Sequence, residues 1–438
     1  MDKKLEKKMS TKHITMLALG GAIGAGLFKG SGEAIGIAGP AVLISYLLGG
    51  LLLFVVMYGL GQMVVHNKNG EGGLSGILKP YLGERTGDFI DWTYWIVWMV
   101  NIIAEAVAAS SFLQLWFPSI PTWVFVLIIA LLTTMINLYS VRVFAETEYW
   151  LAVAKISVII VLIALAIILV VGQVFDVGVQ SAFSNLTNNG GFMPTGFKGI
   201  LSSMLVVIYS YAGSEMLAIT VSETENPKKA IPQAIRGVMG RIVSFYILPL
   251  LFLLVIYPWE TLATSPESPF VLVFEKMRVP FAGDFVNFVI ILALFSSINS
   301  GVYATSRTLY FRLKDQTGFG GKLAQLNKQN VPQRAVLFCS SILYAGVILS
   351  MIVGDNLFNY LVSSISYSMI IVWLIITAAS FKLFSELKAT AKQWMSGIVI
   401  LVLFGLLISV ILTNPIAITI FTTALYILIL VRYQLNRK

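Results

Sequence analysis

A single cysteine, Cys339, in 438 residues leaves no material for an internal disulfide framework or a thiolate-ligated metal. Histidine is nearly as scarce. His13 and His66 both fall at expected cytoplasmic edges, which leaves little for a His-ligated metal. Charged residues make up only 12% of the chain, about half the share of an ordinary soluble domain, and that excludes an ordinary soluble enzyme. Nothing in the sequence resembles a nucleotide-binding motif, a pair of catalytic carboxylates, or a nucleophile beside its base. An ATP-driven pump and a membrane-embedded enzyme are therefore unsupported, and no cofactor or metal is expected. Low-complexity tracts and interdomain linkers are missing too.

What remains is apolar. The hydrophobic share is 57% and the mean hydropathy +0.85. Runs of roughly 18–25 residues, long enough to cross a bilayer as helices, recur about twelve times. They are expected near 14–38, 41–65, 89–115, 120–138, 148–173, 199–222, 234–256, 283–308, 334–353, 357–382, 394–412 and 415–433. The expectation is an all-α polytopic membrane protein, with 1–438 a single transmembrane domain behind a short tail, 1–13. The opening run is glycine-broken and long, so it reads as a retained first span, not a cleaved signal peptide.

The net charge of +9 follows from topology. All Lys and Arg except Lys29, Lys155, Lys198, Lys276 and Arg278 fall in segments expected to be cytoplasmic. That bias places both termini in the cytoplasm, and it makes the lipid bilayer, not nucleic acid, the polyvalent partner.

Two spans depart from a continuous helix. In the first, eight glycines fall between Gly20 and Gly39, around Gly24-Ala25-Gly26. The sixth is interrupted by Tyr211-Ala212-Gly213-Ser214-Glu215, and a proline-containing turn follows each. Glycine weakens a helix interior, and an opened helix survives in hydrocarbon only where its peptide groups face protein or a wet cavity. Interrupted segments at matching places in two halves suggest an inverted-repeat transporter with its site at the breaks. The repeats would be 14–173 and 199–382, five spans each, with 394–433 appended.

A break in span one should bare amide N–H groups at Gly24, Ala25 and Gly26, where a helix start favours a carboxylate. A break in span six should release carbonyls near Tyr209, Ser210 and Ala212, which suit an ammonium. Together they match the two ends of a free α-amino acid. Candidate substrate-binding residues are Ala22, Ile23, Gly24, Ala25 and Gly26 at the first break, and Tyr209, Ser210, Ala212, Gly213 and Ser214 at the second. Small side chains at Ala22, Ala25, Ala108, Ala212 and Ser214 leave room beside them. Tyr209 and Tyr211 are candidates for closing over a solute.

Ionisable residues inside spans are functional candidates by default. Lys155 would lie about 10 Å into the membrane if span five starts near Glu148. Glu105 sits in mid-span three, and Glu215 adjoins the second break; either carboxyl could move a proton or hydrogen-bond an opened backbone. Span eight sets Ser296, Ser300 and Tyr303 along one face.

The segment Gly21-Ala-Ile-Gly-Ala-Gly-Leu-Phe28 resembles the first-span motif of the amino acid–polyamine–organocation superfamily, in its bacterial amino acid permease branch. Further likenesses follow in order: Ala104-Glu105, Asn137-Leu138, Phe144-Ala145-Glu146, Lys155, Gly213-Ser214-Glu215, Ser222 to Pro227, and Ser296 to Arg307. The resemblance implies a secondary transporter that works by alternating access in a bacterial plasma membrane. It also implies that Lys155 can place an ammonium near Gly24 and Ser296, Ser297 and Ser300, where sodium-driven relatives hold their ion. Proton-coupled import of neutral L-amino acids is thus the expected function. An amino acid exchanger and a cationic amino acid permease remain alternatives, and a monomer is compatible with the sequence. Two departures stand out. The loop after span two reads Asn69-Gly70-Glu71-Gly72-Gly73-Leu74-Ser75 in place of Pro-x-x-Gly-Ser-Phe, and Lys29 replaces a usually apolar residue.

Overall fold

Gly24 stands extended just ahead of the first described helix. The computed structural model describes residues 23–67, 73–139, 141–178, 181, 183–215, 227–276, 280–314, 316–327, 331–413, 416, 419–420, 422–424 and 426–427. The backbone is extended at Gly24 (φ −146°, ψ −155°) and turns helical at Ala25–Phe28 (α1). Helix resumes beyond Lys29 as Gly30–Ala38 (α2), and a tight Gly39-Pro40 turn leads into Val42–His66 (α3).

The chain continues through Gly73–Leu82 (α4), Glu84–Gln114 (α5), Thr122–Tyr139 (α6) and Val141–Val177 (α7). Gly196–Tyr211 (α8) stops partway along its apolar run, and Ala212 to Glu215 form turns. Pro227–Ile242 (α9) passes through a π-helical turn at Val243–Ile247 into Leu248–Ile256 (α10). Two short helices, Trp259–Thr264 (α11) and Pro269–Lys276 (α12), precede Ala282–Leu313 (α13). The remainder is Gly318–Leu323 (α14), Gln333–Val353 (α15), Leu357–Glu386 (α16) and Thr390–Thr413 (α17). No strand occurs among the described residues, in keeping with the all-α expectation.

Helix lengths and burial divide the elements into two kinds. The 31 residues of α5 and the 32 of α13 reach about 46–48 Å at 1.5 Å per residue, longer than a bilayer's apolar core. Their apolar stretches are 72% buried within the protein, whereas those of Trp150–Asp176 and Thr390–Leu412 are only 28% buried. Large exposed apolar side chains gather on the latter pair, among them Ile160, Ile168 and Phe175 on α7 and Leu401, Phe404 and Leu412 on α17. Such surfaces suit lipid, while α5 and α13, packed on one another, suit a protein interior. Around α8 pack α1, α2, α3 and α16, so the end of α8 is enclosed.

Several details differ from the sequence expectations. The inside connection after span two contains a helix, α4, whose Leu74, Ile77 and Leu78 are buried. At ten residues it is too short to stand out as a span. Helix α7 begins at Val141, ahead of the expected 148, so the depth of Lys155 does not follow from the helix start. Residues 1–22, 68–72 and 216–226 lie outside the described residues, as does most of the twelfth expected span, 415–433.

Candidate functional site

The two breaks meet. Ser210 Oγ donates to the carbonyls of Gly26 (2.8 Å) and Val206 (2.8 Å), so one hydroxyl joins α1 to the end of α8. The approach requires glycine: a Cβ on Gly26 would lie 2.4 Å from Ser210 Cα, and one on Gly24 would lie 2.4 Å from Glu105 Oε1. Those separations are closer than any real Cβ contact, and at Gly26 the obstacle is backbone, which cannot swing aside.

The first break is held from another helix. Glu105, buried on α5, accepts the Ala25 N–H on both carboxyl oxygens, at 3.2 and 3.0 Å. This satisfies a helix-start amide that would otherwise be orphaned. The second break is held locally. Past Tyr211 the chain turns outward at Ala212 (φ −57°, ψ 143°) and Gly213 takes φ +105°, a conformation that favours glycine. Glu215 Oε2 accepts the Gly213 N–H at 3.0 Å, while Oε1 accepts the indole N–H of Trp373 on α16.

Between the breaks lies a tight cavity of about 20 Å³. Gly24, Gly26, Glu105, Tyr209, Ser210, Ala212, Gly213 and Ser297 line it, all of them singled out in the sequence. Tyr94, Val97, Trp98 and Asn101 of α5 and Ile365 and Met369 of α16 complete the wall. These six carried no sequence signal of a site. Trp98 is 5% exposed and lies inside. Both α5 and α16 are buried over much of their circumference, so no polar–apolar periodicity marks the side facing the cavity.

Other candidates lie nearby but not in the lining. Ile23 and Ala25 are buried beside it. Ser214 is buried, its hydroxyl donating to Tyr211 O at 3.3 Å. Lys155 is 2% exposed on α7. Ser296 and Ser300 of α13 are buried outside the lining. Ala22 lies outside the described residues.

Tyr211 does not face the cavity. Its hydroxyl donates to Tyr46 O at 2.8 Å, and its ring packs edge-on against Tyr46 and Tyr246, at centroid distances of 5.7 and 4.9 Å. Tyr246, within the π-helical turn, donates to Ser210 O at 2.9 Å, and the Tyr46 hydroxyl lies 3.2 Å from Ser210 Oγ. The Ser210 carbonyl, expected to be released by the break, is thereby occupied. Tyr209 does line the cavity, with Phe358 edge-on to its ring at 6.0 Å. Lys29 sits over Phe358 at 5.1 Å and donates to Ser111 Oγ at 2.8 Å, so its ammonium is engaged on α5 and α16.

A second, larger cavity of about 400 Å³ opens in the connection between α10 and α13, with Glu267, Glu275 and Asp284 in its wall. Burial, then the carboxylates of Glu275 and Asp284, push Glu267 above the usual carboxylate range. The described residues include no cluster of His, Cys, Asp and Glu able to hold a metal.

One apolar helix that starts and another that ends at a buried cavity, among helices long enough to cross a membrane, fit a polytopic membrane transporter. Comparison with known proteins sharpens this. The amino acid permease family model matches residues 13–435. The chain is 46% identical over 444 residues to the uncharacterized amino acid permease YvbW of Bacillus subtilis, covering 99% of this chain and 98% of that one. It is 44% identical to the aromatic amino acid permease FywP of Lactococcus lactis, covering 99% and 96%. Among solved structures, MhsT in complex with L-phenylalanine superposes with a TM-score of 0.60 at 16% identity, over 92% of this chain and 100% of that one, a likeness of fold. The chain belongs to the amino acid permease family.

Proposed function

We propose that this permease imports neutral amino acids with large, mainly aromatic side chains, together with a proton, by alternating access around its two breaks. The observation that carries the reading is the two-sided cavity. Peptide groups of Gly24, Gly26, Ala212 and Gly213 form one side, and Val97, Trp98, Ile365 and Met369 form the other. The first side suits a zwitterion. The second, which Tyr94 and Asn101 complete, is largely apolar and carries no charge, which disfavours a lysine or arginine side chain. FywP is by name an aromatic amino acid permease, and MhsT was solved with L-phenylalanine; both support the same class.

In this reading the substrate carboxylate meets the amides of Gly24 and Gly26, and its ammonium meets the Ala212 carbonyl. Ile23, Ala25 and Ser214 shape the pocket behind them, and Tyr209 closes over it. Lys155, Glu105 and Ser297 carry the proton, with Ser296 and Ser300 behind them on α13. A carboxylate accepts a hydrogen bond more strongly than a neutral carboxyl. Protonating Glu105 therefore loosens its hold on Ala25, and the first break shifts with the charge state. Glu215 keeps the second break open. The repeats 14–173 and 199–382, the appended 394–433 and cytoplasmic termini complete the scheme.

Uptake into proteoliposomes across an amino acid panel tests this. Aromatic substrates should accumulate when the outside is acidic, without sodium, and Lys155→Ala should abolish the response to the gradient. Sodium dependence, uptake only against preloaded substrate, or a preference for lysine and arginine would each overturn it.

A further inference from the structure

The larger cavity, in the connection between α10 and α13, is rich in hydrogen-bond acceptors and short of donors. It shares no residue with the central cavity. Glu275 and Asp284 in its wall are exposed, Glu267 is half-buried, and Asn287 is buried at 3% exposure. Gly283 lets Glu275 lie against the first turn of α13: a Cβ there would stand 3.1 Å from Glu275 Cγ. Only two side chains in the wall can donate a hydrogen bond, and both are engaged. Trp116 Nε1–H goes to Asp284 Oδ1 at 2.7 Å, and Asn287 Nδ2 goes to Phe112 O at 3.2 Å. The second bond fixes the amide and leaves Asn287 Oδ1 without a donor; Glu267 Oε2 has none either.

The nearest lysine in sequence is occupied elsewhere. Lys276 donates to Ile256 O at 3.0 Å and lies over the Tyr257 ring at 4.7 Å. Among the described residues no lysine or arginine forms an ion pair with Glu267, Glu275 or Asp284. Arg278 lies outside the described residues. Glu267 registers the crowding, since burial and then its two carboxylate neighbours hold its proton on. A buried acceptor without a donor costs about 1–3 kcal/mol. Positive charge that carries N–H groups relieves both the repulsion and the missing donor. A lone ion would be loose in about 400 Å³, and the carboxyl groups are not clustered as metal ligands. Phe281, 82% exposed and held at φ +60°, which bulky residues rarely adopt, adds an aromatic ring to the wall and favours an organic cation further.

We infer that this cavity is a second binding site, separate from the amino acid site, for a small organic primary ammonium. Glu275 and Asp284 supply the opposing charge, and Asn287 Oδ1 and Glu267 Oε2 accept its N–H groups. The site does not depend on which amino acid the central cavity carries.

The test uses the purified full-length protein in detergent and 1,4-diaminobutane as the probe, with binding read as a saturable rise in melting temperature. Sodium chloride at matched ionic strength should give no comparable rise. Tetramethylammonium, charged but without N–H groups, should give a weaker one. Glu275→Gln and Asp284→Asn should each weaken the apparent diamine affinity by about 10-fold. Glu105→Gln, which alters the carboxyl group lining the central cavity, should bind the diamine as the wild type does. Glu275→Lys brings its own ammonium to the wall and should abolish the diamine response. The inference is overturned by equal diamine affinity in the wild type, Glu275→Gln and Asp284→Asn, or by an equal rise from tetramethylammonium or sodium chloride. A loss in Glu105→Gln matching that in Glu275→Gln overturns it by placing the diamine in the central cavity. A saturable rise from calcium chloride, with none from the diamine, overturns it in favour of a metal site.

Discussion

The two breaks meet the same difficulty, an amide N–H exposed where no bulk water can reach it, and they meet it differently. At the first, the acceptor comes from a separate helix 80 positions along the chain. At the second, it comes from Glu215, two residues on, anchored in turn by Trp373. A long-range acceptor makes the first break depend on where α5 stands. A local one makes the second nearly self-contained. The first break is thus the one suited to respond to a change of charge, and the second suited to persist through it.

Three substitutions press on that contrast. The largest effect is expected from Gly26→Ala, which sets a methyl against the Ser210 backbone and forces the breaks apart; transport measured by uptake should fall below detection while the protein still inserts. Glu105→Gln comes next. An amide accepts less well than a carboxylate, so uptake should fall by about 10-fold or more, and what survives should no longer respond to an imposed pH gradient. Glu215→Gln should cost about 1–3 kcal/mol of thermal stability, because its NH₂ must face the Gly213 or Trp373 N–H, with the gradient response retained. If Glu105→Gln and Glu215→Gln change coupling equally, the contrast fails.

The smallest effect is a pH dependence outside the membrane. Glu267 lies above the ordinary carboxylate range when folded, so it binds its proton more tightly folded than unfolded. The stability it contributes is full at low pH and is lost as pH rises through the folded value. Detergent-solubilised protein should therefore gain melting temperature on mild acidification, and Glu267→Gln should show a shallower gain.

Much of the frame was legible in advance, for a physical reason. A span must be long and apolar to be solvated by lipid, and expected spans at 334–353 and 394–412 fall on α15 and α17. The breaks were legible as well, since glycine is conspicuous inside such runs. Peptide groups and small residues of the site follow from them. The side-chain half did not. Tyr94, Val97 and Trp98 lie on a helix buried all round, where composition carries no direction, and only packing reveals which side faces the cavity. Helices α4, α11 and α12 were missed because ten, six and eight residues are too few for a hydropathy signal. The Ser210 carbonyl was misjudged because Tyr246, which occupies it, is 36 positions away.

The Ser210 junction has a mechanical consequence. Its hydroxyl ties α1 to α8, its carbonyl is tied to the π-helical turn before α10, and Tyr211 ties the same corner to α3. A knot with three strands cannot slip one at a time. In the alternating access proposed above, these four helices would swing as one rigid arm, leaving the flexing to the segments that join that arm to α5 and α13.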